Sequence, residues 1–251
     1  MILALLGALV IGISLGLLGS GGSVITVPVL VFILQRPEKL AIAESLAIVG
    51  SVALIGSIPY MLRAQVKWKS ILIFGLPGMF GACLGGYGTY YINGTIQLTL
   101  FGIMMLFIAG LMLSNQSFFN QASVIHQPVG LIILEGFLIG TLTGFIGIGG
   151  GFIIVPSLVL LCNLSIPFAI GTSLVIISMN AFSGFLDQFF FLKAMHLSVD
   201  WTVITMMSSF AIFGSLSGSW IGPKISQIYL RKAFGFSVLM MGSYIIFKNF
   251  L

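Results

Sequence analysis

Apolar residues fill most of this chain in runs that polar or glycine-rich stretches separate. Most of these runs approach the roughly 20 residues that an α-helix needs to cross a bilayer, whereas membrane barrels show only weak alternation over about ten residues. The pattern therefore predicts an all-α polytopic membrane protein. The runs fall near 2–18, 24–34, 40–62, 70–92, 96–113, 128–147, 152–162, 167–191, 202–222 and 233–250.

The two halves of the chain carry the same pattern. GLLGSGGSVITVPVL at 16–30 matches GFIGIGGGFIIVPSL at 144–158 with eight identities in fifteen, at an offset of 128. The same offset pairs AESL with GTSL, and after a five-residue insertion an offset of 133 pairs VKW with VDW. We interpret this as a duplication, with a first transmembrane repeat at 1–113, a polar linker at 114–127 and a second transmembrane repeat at 128–251.

The first two runs of each repeat are short for membrane spans. At 1.5 Å per residue, 2–18 spans about 26 Å and 24–34 only about 17 Å, against a hydrocarbon core of about 30 Å. Backbone without helical hydrogen bonds is tolerated at membrane depth only where protein buries it or where it lines a wet cavity. Each repeat is therefore expected to contain four to five helical elements, with a glycine-broken or re-entrant first helix.

The basic residues favour opposite orientations for the two repeats. Inverted repeats would place the two strongly basic loops, 63–69 and 224–232, on one side, which the positive-inside bias makes cytoplasmic. Arg36 and Lys39 would lie on the other side. A topology with eight full spans gives parallel repeats with five Lys and Arg on each side, and predicts no orientation.

Composition excludes several classes of function. Only 6% of the residues are charged, against about 25% in soluble domains, so almost nothing lies outside the bilayer. The net charge of +5 is spread over short loops, so no nucleic-acid partner is expected. The chain lacks HExxH, a Cys/His cluster and a nucleotide loop, and GISLG at 12–16 lies in a helical run rather than a strand–turn–helix context. No enzyme, metal or cofactor is therefore expected.

The glycine breaks are the first candidate site. GSGGS at 19–23 and GIGGG at 147–151 each precede a short helix. The first N–H groups of a helix lack intrahelical partners, and the macrodipole adds partial positive charge there. Two such N-termini facing each other would bind an anion with neutral groups. The alternative is that these glycines only allow close helix packing.

Polar residues inside the apolar runs are the remaining candidates. Ser45, Thr172 and Ser173 either cap the helices that follow the breaks or donate to a ligand. Asn180 either joins helices or contacts a ligand. Glu44 and Glu135 are candidate proton carriers, although the position of Glu44 near the beginning of an apolar run favours an interfacial charge at a helix start.

The duplicated blocks resemble the TauE/SafE sulfite exporter family, also called the toluene-sulfonate uptake permease superfamily. The resemblance implies a secondary transporter of sulfite, thiosulfate, sulfoacetate or other organosulfonates in a prokaryotic inner membrane. The first repeat departs from the family's TSL motif, because Glu44 stands where the second repeat has Thr172. The family's motifs carry over to Ser20, Gly21, Gly22, Ser23, Gly149, Gly150 and Gly151, and to Ser45, Thr172 and Ser173.

These observations define one expectation with two alternatives. The expected protein binds a small sulfur-containing anion between the two glycine breaks and works by alternating access within the lipid bilayer. An anion channel with the same lining and a non-transporting membrane scaffold are the alternatives. The sequence leaves open which anion is carried, in which direction, and whether the chain forms a homodimer.

Overall fold

The computed structural model describes residues 2–19, 22–114, 128–146, 150–162, 164–222 and 227–250. Within these ranges the chain forms helices and no strand, which confirms the all-α prediction. The first five helices are α1 (Ile2–Leu18), α2 (Gly22–Ile33), α3 (Glu38–Leu62), α4 (Trp68–Tyr91) and α5 (Gly94–Ser114). The next five are α6 (Val129–Ile146), α7 (Gly151–Leu161), α8 (Ile166–Ala194), α9 (Trp201–Ile221) and α10 (Gln227–Phe250).

Five of the described helices, α3, α4, α6, α8 and α9, are long and apolar enough to cross a bilayer. Large apolar side chains on outer faces remain exposed, for example Phe80, Phe213 and Trp220 at about 70%. Such exposure is unfavourable in water and suits lipid contact. The chain is therefore a multi-pass membrane protein.

Two of the described helices contain a proline next to a π-helical turn. Pro28 lies inside α2 and the turn after it, Val29–Ile33, is π-helical. Pro77 lies near the start of the α-helical part of α4, and the preceding turn, Ile71–Gly75, is also π-helical. In α4 the π-helical turn precedes the proline, where a wider turn relieves the clash between the proline ring and the carbonyl four residues earlier.

Helices α1 and α2 form a tight antiparallel hairpin. The chain turns at Gly19, whose φ of 67° lies in the left-handed region that glycine favours. Gly22 then packs against the backbone of Ile11, and Val29 packs against Gly7. The residue numbers of the contacts increase along α2 while they decrease along α1, so α2 runs antiparallel to α1.

Helices α3 and α8 form the centre of the molecule and run antiparallel. Leu46 lies against Gly184, Gly50 against Ala181, and Tyr60 against Gly171. The apolar windows of α3 and α8 are 78% and 83% buried, whereas those of α4, α6 and α9 are 33–44% buried. These two helices therefore form the packed core of the molecule.

Two further helix pairs pack backbone to backbone through glycine. Helix α1 lies on α9, and α6 lies on α4, and in both pairs the residue numbers rise together, so the helices are parallel. A Cβ added to any of the four glycines would overlap a carbonyl oxygen of the facing helix, so close packing requires glycine there. The contacts are Gly12 with Ala211, Gly16 with Ser215, Gly140 with Gly78, and Gly144 with Ala82.

The helix directions give the molecule two ends. We call the end where α3 begins and α8 finishes the Glu44 end, and the opposite end, where α8 begins, the Lys67 end. The predicted polar linker 114–127 lies, beyond Ser114, outside the described residues.

Candidate functional site

Ser173 ties helix α8 to the turn between α1 and α2. Its hydroxyl is fully buried and donates to the carbonyl oxygen of Gly19 at 3.1 Å and to that of Ile170 at 2.8 Å. Gly19 also packs against the side chain of Ile170. The structure thus brings the first glycine break and the TSL motif of the other half together.

The capping role considered for Ser45, Thr172 and Ser173 is wrong. Helix α3 begins at Glu38 and α8 at Ile166, so all three side chains lie about two turns inside their helices. Ser45 donates to the carbonyl oxygen of Ile42 in its own helix at 2.7 Å. The correct starts were signalled by Pro37 and Pro167, because proline is favoured at a helix start.

Two equivalent hydrogen bonds join the motifs to the loops of the opposite half. The backbone N–H of Lys67 donates to the Thr172 hydroxyl at 3.0 Å. The backbone N–H of Asp200 donates to the Glu44 carboxylate, also at 3.0 Å. We call these bonds the Lys67–Thr172 latch and the Asp200–Glu44 latch. Each fixes the start of the helix that follows the loop.

Glu44 is a fully buried carboxylate with a cation beside it. Its second oxygen, Oε2, has no hydrogen-bond partner among the described residues and lies 3.7 Å from Nε of Arg36. Arg36 also pairs with the Asp200 carboxylate. The alternative of an interfacial charge at a helix start is wrong for Glu44, because Glu38 occupies the first turn of α3. A buried carboxylate is stable as an ion only with such partners.

Asp200 is the exposed member of this group and caps α9. Its side chain accepts from the backbone N–H groups of Thr202 at 3.0 Å and Val203 at 3.3 Å. The hydrogen bond from Arg36 is the largest effect that lowers the pKa of Asp200 below its ordinary value of 3.8. The two backbone N–H groups lower this pKa further. The folded state therefore favours ionised Asp200.

We expect Asp200→Ala to lower the unfolding temperature at neutral pH, because α9 loses its cap and Arg36 loses a partner. A lowered pKa contributes stability above the ordinary value, and that contribution disappears as the pH falls through the lowered pKa. The difference between wild type and variant should therefore shrink in acid. Thermal unfolding of the detergent-solubilised proteins across pH measures it, and a difference that stays constant in acid would contradict the assignment.

Asn180 has the least satisfied buried side chain among the candidates. It is 1% exposed, and neither its amide nitrogen nor its amide oxygen has a hydrogen-bond partner among the described residues. It faces Gly78 of α4, where a Cβ would lie 3.2 Å from both amide atoms. The alternative that Asn180 joins helices therefore finds no hydrogen bond to support it among those residues.

The candidate residues lie at three depths along α3 and α8. Ser45 lies near the level of Gly184, and Ser173 near the level of Tyr60, which separates the two serines by about 20 Å at 1.5 Å per residue. Asn180 lies about midway between them, about 10 Å along α8 from Ser173. The structure therefore places the two TSL-type motifs near opposite ends and Asn180 at the centre.

The glycine motifs are described only in part. Gly22 packs so closely on Ile11 that close approach explains it without a ligand. Gly150 has a φ of 76°, and Gly151 begins α7. Ser23 is fully buried. Ser20, Gly21 and Gly149 lie outside the described residues.

Glu135 is half-buried on α6 and has no ion pair among the described residues. Sequence reasoning missed three contacts at the site: Arg36 and Asp200 at Glu44, and Tyr60, whose buried hydroxyl donates to Gly16 at 2.8 Å. The repeated VKW and VDW blocks marked the Asp200 loop, but nothing in the sequence indicated its partner.

Comparisons with known proteins place this chain in a family. The model described as sulfite exporter TauE/SafE matches residues 4–245. A probable membrane transporter protein of Xylella fastidiosa (strain 9a5c) is 31% identical over 251 residues, covering 95% of this chain and 92% of that protein. The probable membrane transporter protein YunE of Bacillus subtilis (strain 168) is 25% identical over 272 residues, covering 99% and 97%. No solved structure matches the chain significantly. The chain belongs to the TauE/SafE sulfite exporter family of membrane transporters.

Proposed function

We propose that the protein is a secondary transporter that carries small sulfur-containing anions across a prokaryotic inner membrane by alternating access. Besides membership of this family of membrane transporters, one observation gives the proposal its main support. The side chains of Ser45, Thr172, Ser173 and Asn180 are fully or almost fully buried on the two central helices. The hydroxyls of Ser45 and Ser173 already donate to backbone carbonyl oxygens. The amide of Asn180, which has no partner among the described residues, is therefore the donor that suits an oxyanion, whose oxygens only accept hydrogen bonds.

The proposal includes two inverted repeats, α1–α5 and α6–α10. Three features support it: α3 and α8 correspond at the offset of 128 and run antiparallel, the two latches are equivalent, and the two parallel glycine pairs are equivalent. Transporters with inverted repeats bind substrate near the midplane, between broken helices. Asn180, about midway between the two TSL-type motifs, occupies that depth.

The distribution of basic residues between the two ends supports a cytoplasmic location for the Lys67 end. Arg63, Lys67 and Lys69 lie there without an acidic neighbour in the loop, whereas Arg36 at the Glu44 end is paired with two carboxylates. Unpaired Lys and Arg in short loops mark the cytoplasmic side. This assignment places the N-terminus of α1 on the outer side.

Alternating access would open one latch at a time. The Asp200–Glu44 latch closes the Glu44 end, with Arg36 beside the Glu44 carboxylate, while the Lys67–Thr172 latch closes the other end through a neutral hydroxyl. Glu44 is therefore the better candidate for proton coupling than Glu135, because protonation would weaken its interaction with Arg36. The N–H groups at the start of α7, which follows Gly150, would add further donors to the lining.

A thermal-shift titration of the detergent-solubilised protein tests the function. Sulfite, thiosulfate, sulfoacetate, sulfate, chloride and acetate are each added to saturation. A ligand at 100 times its dissociation constant stabilises by about 2.7 kcal/mol, so binding is detectable. We expect a saturable shift with a sulfur anion and none with chloride or acetate. A shift with chloride alone would favour an anion channel, and no shift with any anion would contradict the proposal.

A further inference from the structure

An open groove lies on the surface of α9 near the end of that helix. Its volume is about 390 Å³, and it is lined by Leu216, Ser217, Trp220 and Ile221. This volume falls within the range of about 300–1,000 Å³ that small-molecule pockets occupy. Trp220 is 73% exposed, and tryptophan favours the depth at which the hydrocarbon core meets the headgroups. The groove therefore has mostly apolar walls and lies where a membrane protein meets lipid headgroups.

The guanidinium of Arg63 lies beside this groove. Its Nη1 donates to the carbonyl oxygen of Ser219 at 3.3 Å, and Ser219 directly precedes Trp220. Arg63 follows the last residue of α3, and it is exposed. A guanidinium has five N–H donors, so the bond to Ser219 leaves donors for a further partner. Arg63 makes no ion pair among the described residues.

The charges at the Lys67 end are basic around this groove. Lys67 and Lys69 are exposed at the same end as Arg63. Both ion pairs of the described residues belong to Arg36, at the opposite end. Glu135 lies on α6, which packs on α4. The remaining acidic residues lie towards the Glu44 end: Glu38, Glu44, Asp187 and Asp200. The groove therefore borders a positive surface without a counter-ion among the described residues.

An anionic phospholipid combines the two chemistries that this surface accepts. Its acyl chain suits the apolar walls of the groove, and its phosphate suits a guanidinium, which binds phosphate with two charge-assisted hydrogen bonds. A zwitterionic phospholipid has the same phosphate, but its ammonium group is repelled by the neighbouring lysines. Basic pockets of membrane proteins select anionic headgroups in this way.

A second copy of the chain is a less suitable occupant. Homodimers are mostly twofold symmetric, so the same surface of each copy meets in the interface. Two copies in one membrane have the same orientation, and both Arg63 side chains would then lie on the same side of the membrane at one interface. Like charges facing each other across an interface weaken it. A lipid phosphate supplies the opposite charge instead.

We propose that the groove at the end of α9 binds one anionic phospholipid, with an acyl chain along Trp220 and Ile221 and the phosphate at Arg63. Since Arg63 follows α3 and the groove belongs to α9, the lipid joins these two helices at the Lys67 end. This inference does not depend on which anion the protein transports.

Native mass spectrometry of the detergent-solubilised full chain tests the proposal. The protein is titrated with phosphatidylglycerol, with phosphatidylcholine of the same acyl chains, and with glycerol 3-phosphate, which has the phosphate but no acyl chain. One basic residue near a membrane surface contributes about fivefold in affinity for anionic lipid, so phosphatidylglycerol should bind at least about fivefold more tightly than phosphatidylcholine. Glycerol 3-phosphate should bind more weakly than phosphatidylglycerol.

Arg63→Ala should abolish the preference for phosphatidylglycerol. Arg63→Lys should retain part of it, because an ammonium keeps the charge but cannot form the two parallel hydrogen bonds. Lys193→Ala is the matched control, since Lys193 is an exposed cation in the last turn of α8, at the opposite end of the molecule. The control should keep the full preference.

A second pair of variants covers the case in which Arg63→Ala fails to fold. Trp220→Ala removes a wall of the groove and should weaken binding of both lipids, while its high exposure leaves the core intact. Trp68→Ala removes another exposed tryptophan, at the start of α4 at the same end, and should leave binding unchanged.

Four results would overturn the proposal. The first is equal binding of the two lipids, and the second is binding of glycerol 3-phosphate as tight as that of phosphatidylglycerol. The third is a control variant that loses as much binding as its partner, which would indicate diffuse attraction rather than a site. The fourth is a dimer of the wild type that Trp220→Ala abolishes, which would assign the groove to a second copy.

Discussion

Gly140→Leu should prevent the chain from folding, whereas Gly130→Leu on the same helix should be tolerated. A Cβ at Gly140 would overlap the carbonyl oxygen of Gly78 on α4, and backbone atoms of a packed helix cannot move aside. Overpacking a well-packed core typically costs about 1–3 kcal/mol, and it costs more where the obstacle is backbone that cannot move aside. No atom of the described residues lies within 4 Å of a Cβ at Gly130. Yield, size-exclusion profile and unfolding temperature of the detergent-solubilised variants measure the effect.

The glycine pair between α1 and α9 provides an independent comparison. Gly16→Leu should fail in the same way as Gly140→Leu, because Gly16 packs on the carbonyl of Ser215 in the same manner. Normal folding of Gly140→Leu would show that α4 and α6 do not approach as described. Failure of Gly130→Leu as well would show that the loss of folding in Gly140→Leu is not specific to the contact between α6 and α4.

Glu44→Gln should abolish uptake driven by a pH gradient while leaving substrate exchange at equal pH largely intact. Glutamine still offers an oxygen to the Asp200 N–H, so the latch can form, but it cannot take up and release a proton. One coupled proton supports about a tenfold accumulation ratio for each pH unit of gradient, so the variant should lose that accumulation. Uptake and counterflow of radiolabelled sulfite in proteoliposomes distinguish the two activities.

Glu135→Gln is the matched control for this experiment. Glu135 lies half-buried on α6, without the cation and the backbone donor that surround Glu44. We expect its glutamine variant to accumulate substrate as the wild type does. If Glu44→Gln still accumulates substrate and Glu135→Gln does not, the coupling group is Glu135 instead.

The helical segments could be predicted from the sequence because each apolar run is bounded by polar or glycine-rich residues. The helices α3 and α8 nonetheless begin earlier than their apolar runs. Glu38 and Lys39 are charged but lie in the first turn of α3, where the helix end reaches the interface. Pro37 marked this start more reliably than hydrophobicity did, since proline suits the beginning of a helix but not its interior.

The candidate residues could be named from their polarity, but their contacts could not. The partners of Glu44 lie in loops 8 and 156 residues away, and no local pattern encodes such a distance. The depth of Ser45 and Ser173 depends on the register between α3 and α8, which glycine contacts fix. The sequence named Ser45 and Ser173 as candidates for one site between the glycine breaks, whereas the structure sets these two serines about 20 Å apart along the central helices.

The contact between α1 and α9 has a consequence for the order of synthesis. Gly16 and Ser215 meet although about 200 residues separate them, so α1 emerges from the ribosome long before its neighbour exists. Its glycine face must remain covered meanwhile by lipid, by α2 or by the insertion machinery. Assembly of the native state is then delayed until the last third of the chain has been translated. A chain interrupted within α9 would leave the first helix without its native partner, which is a natural target for membrane quality control.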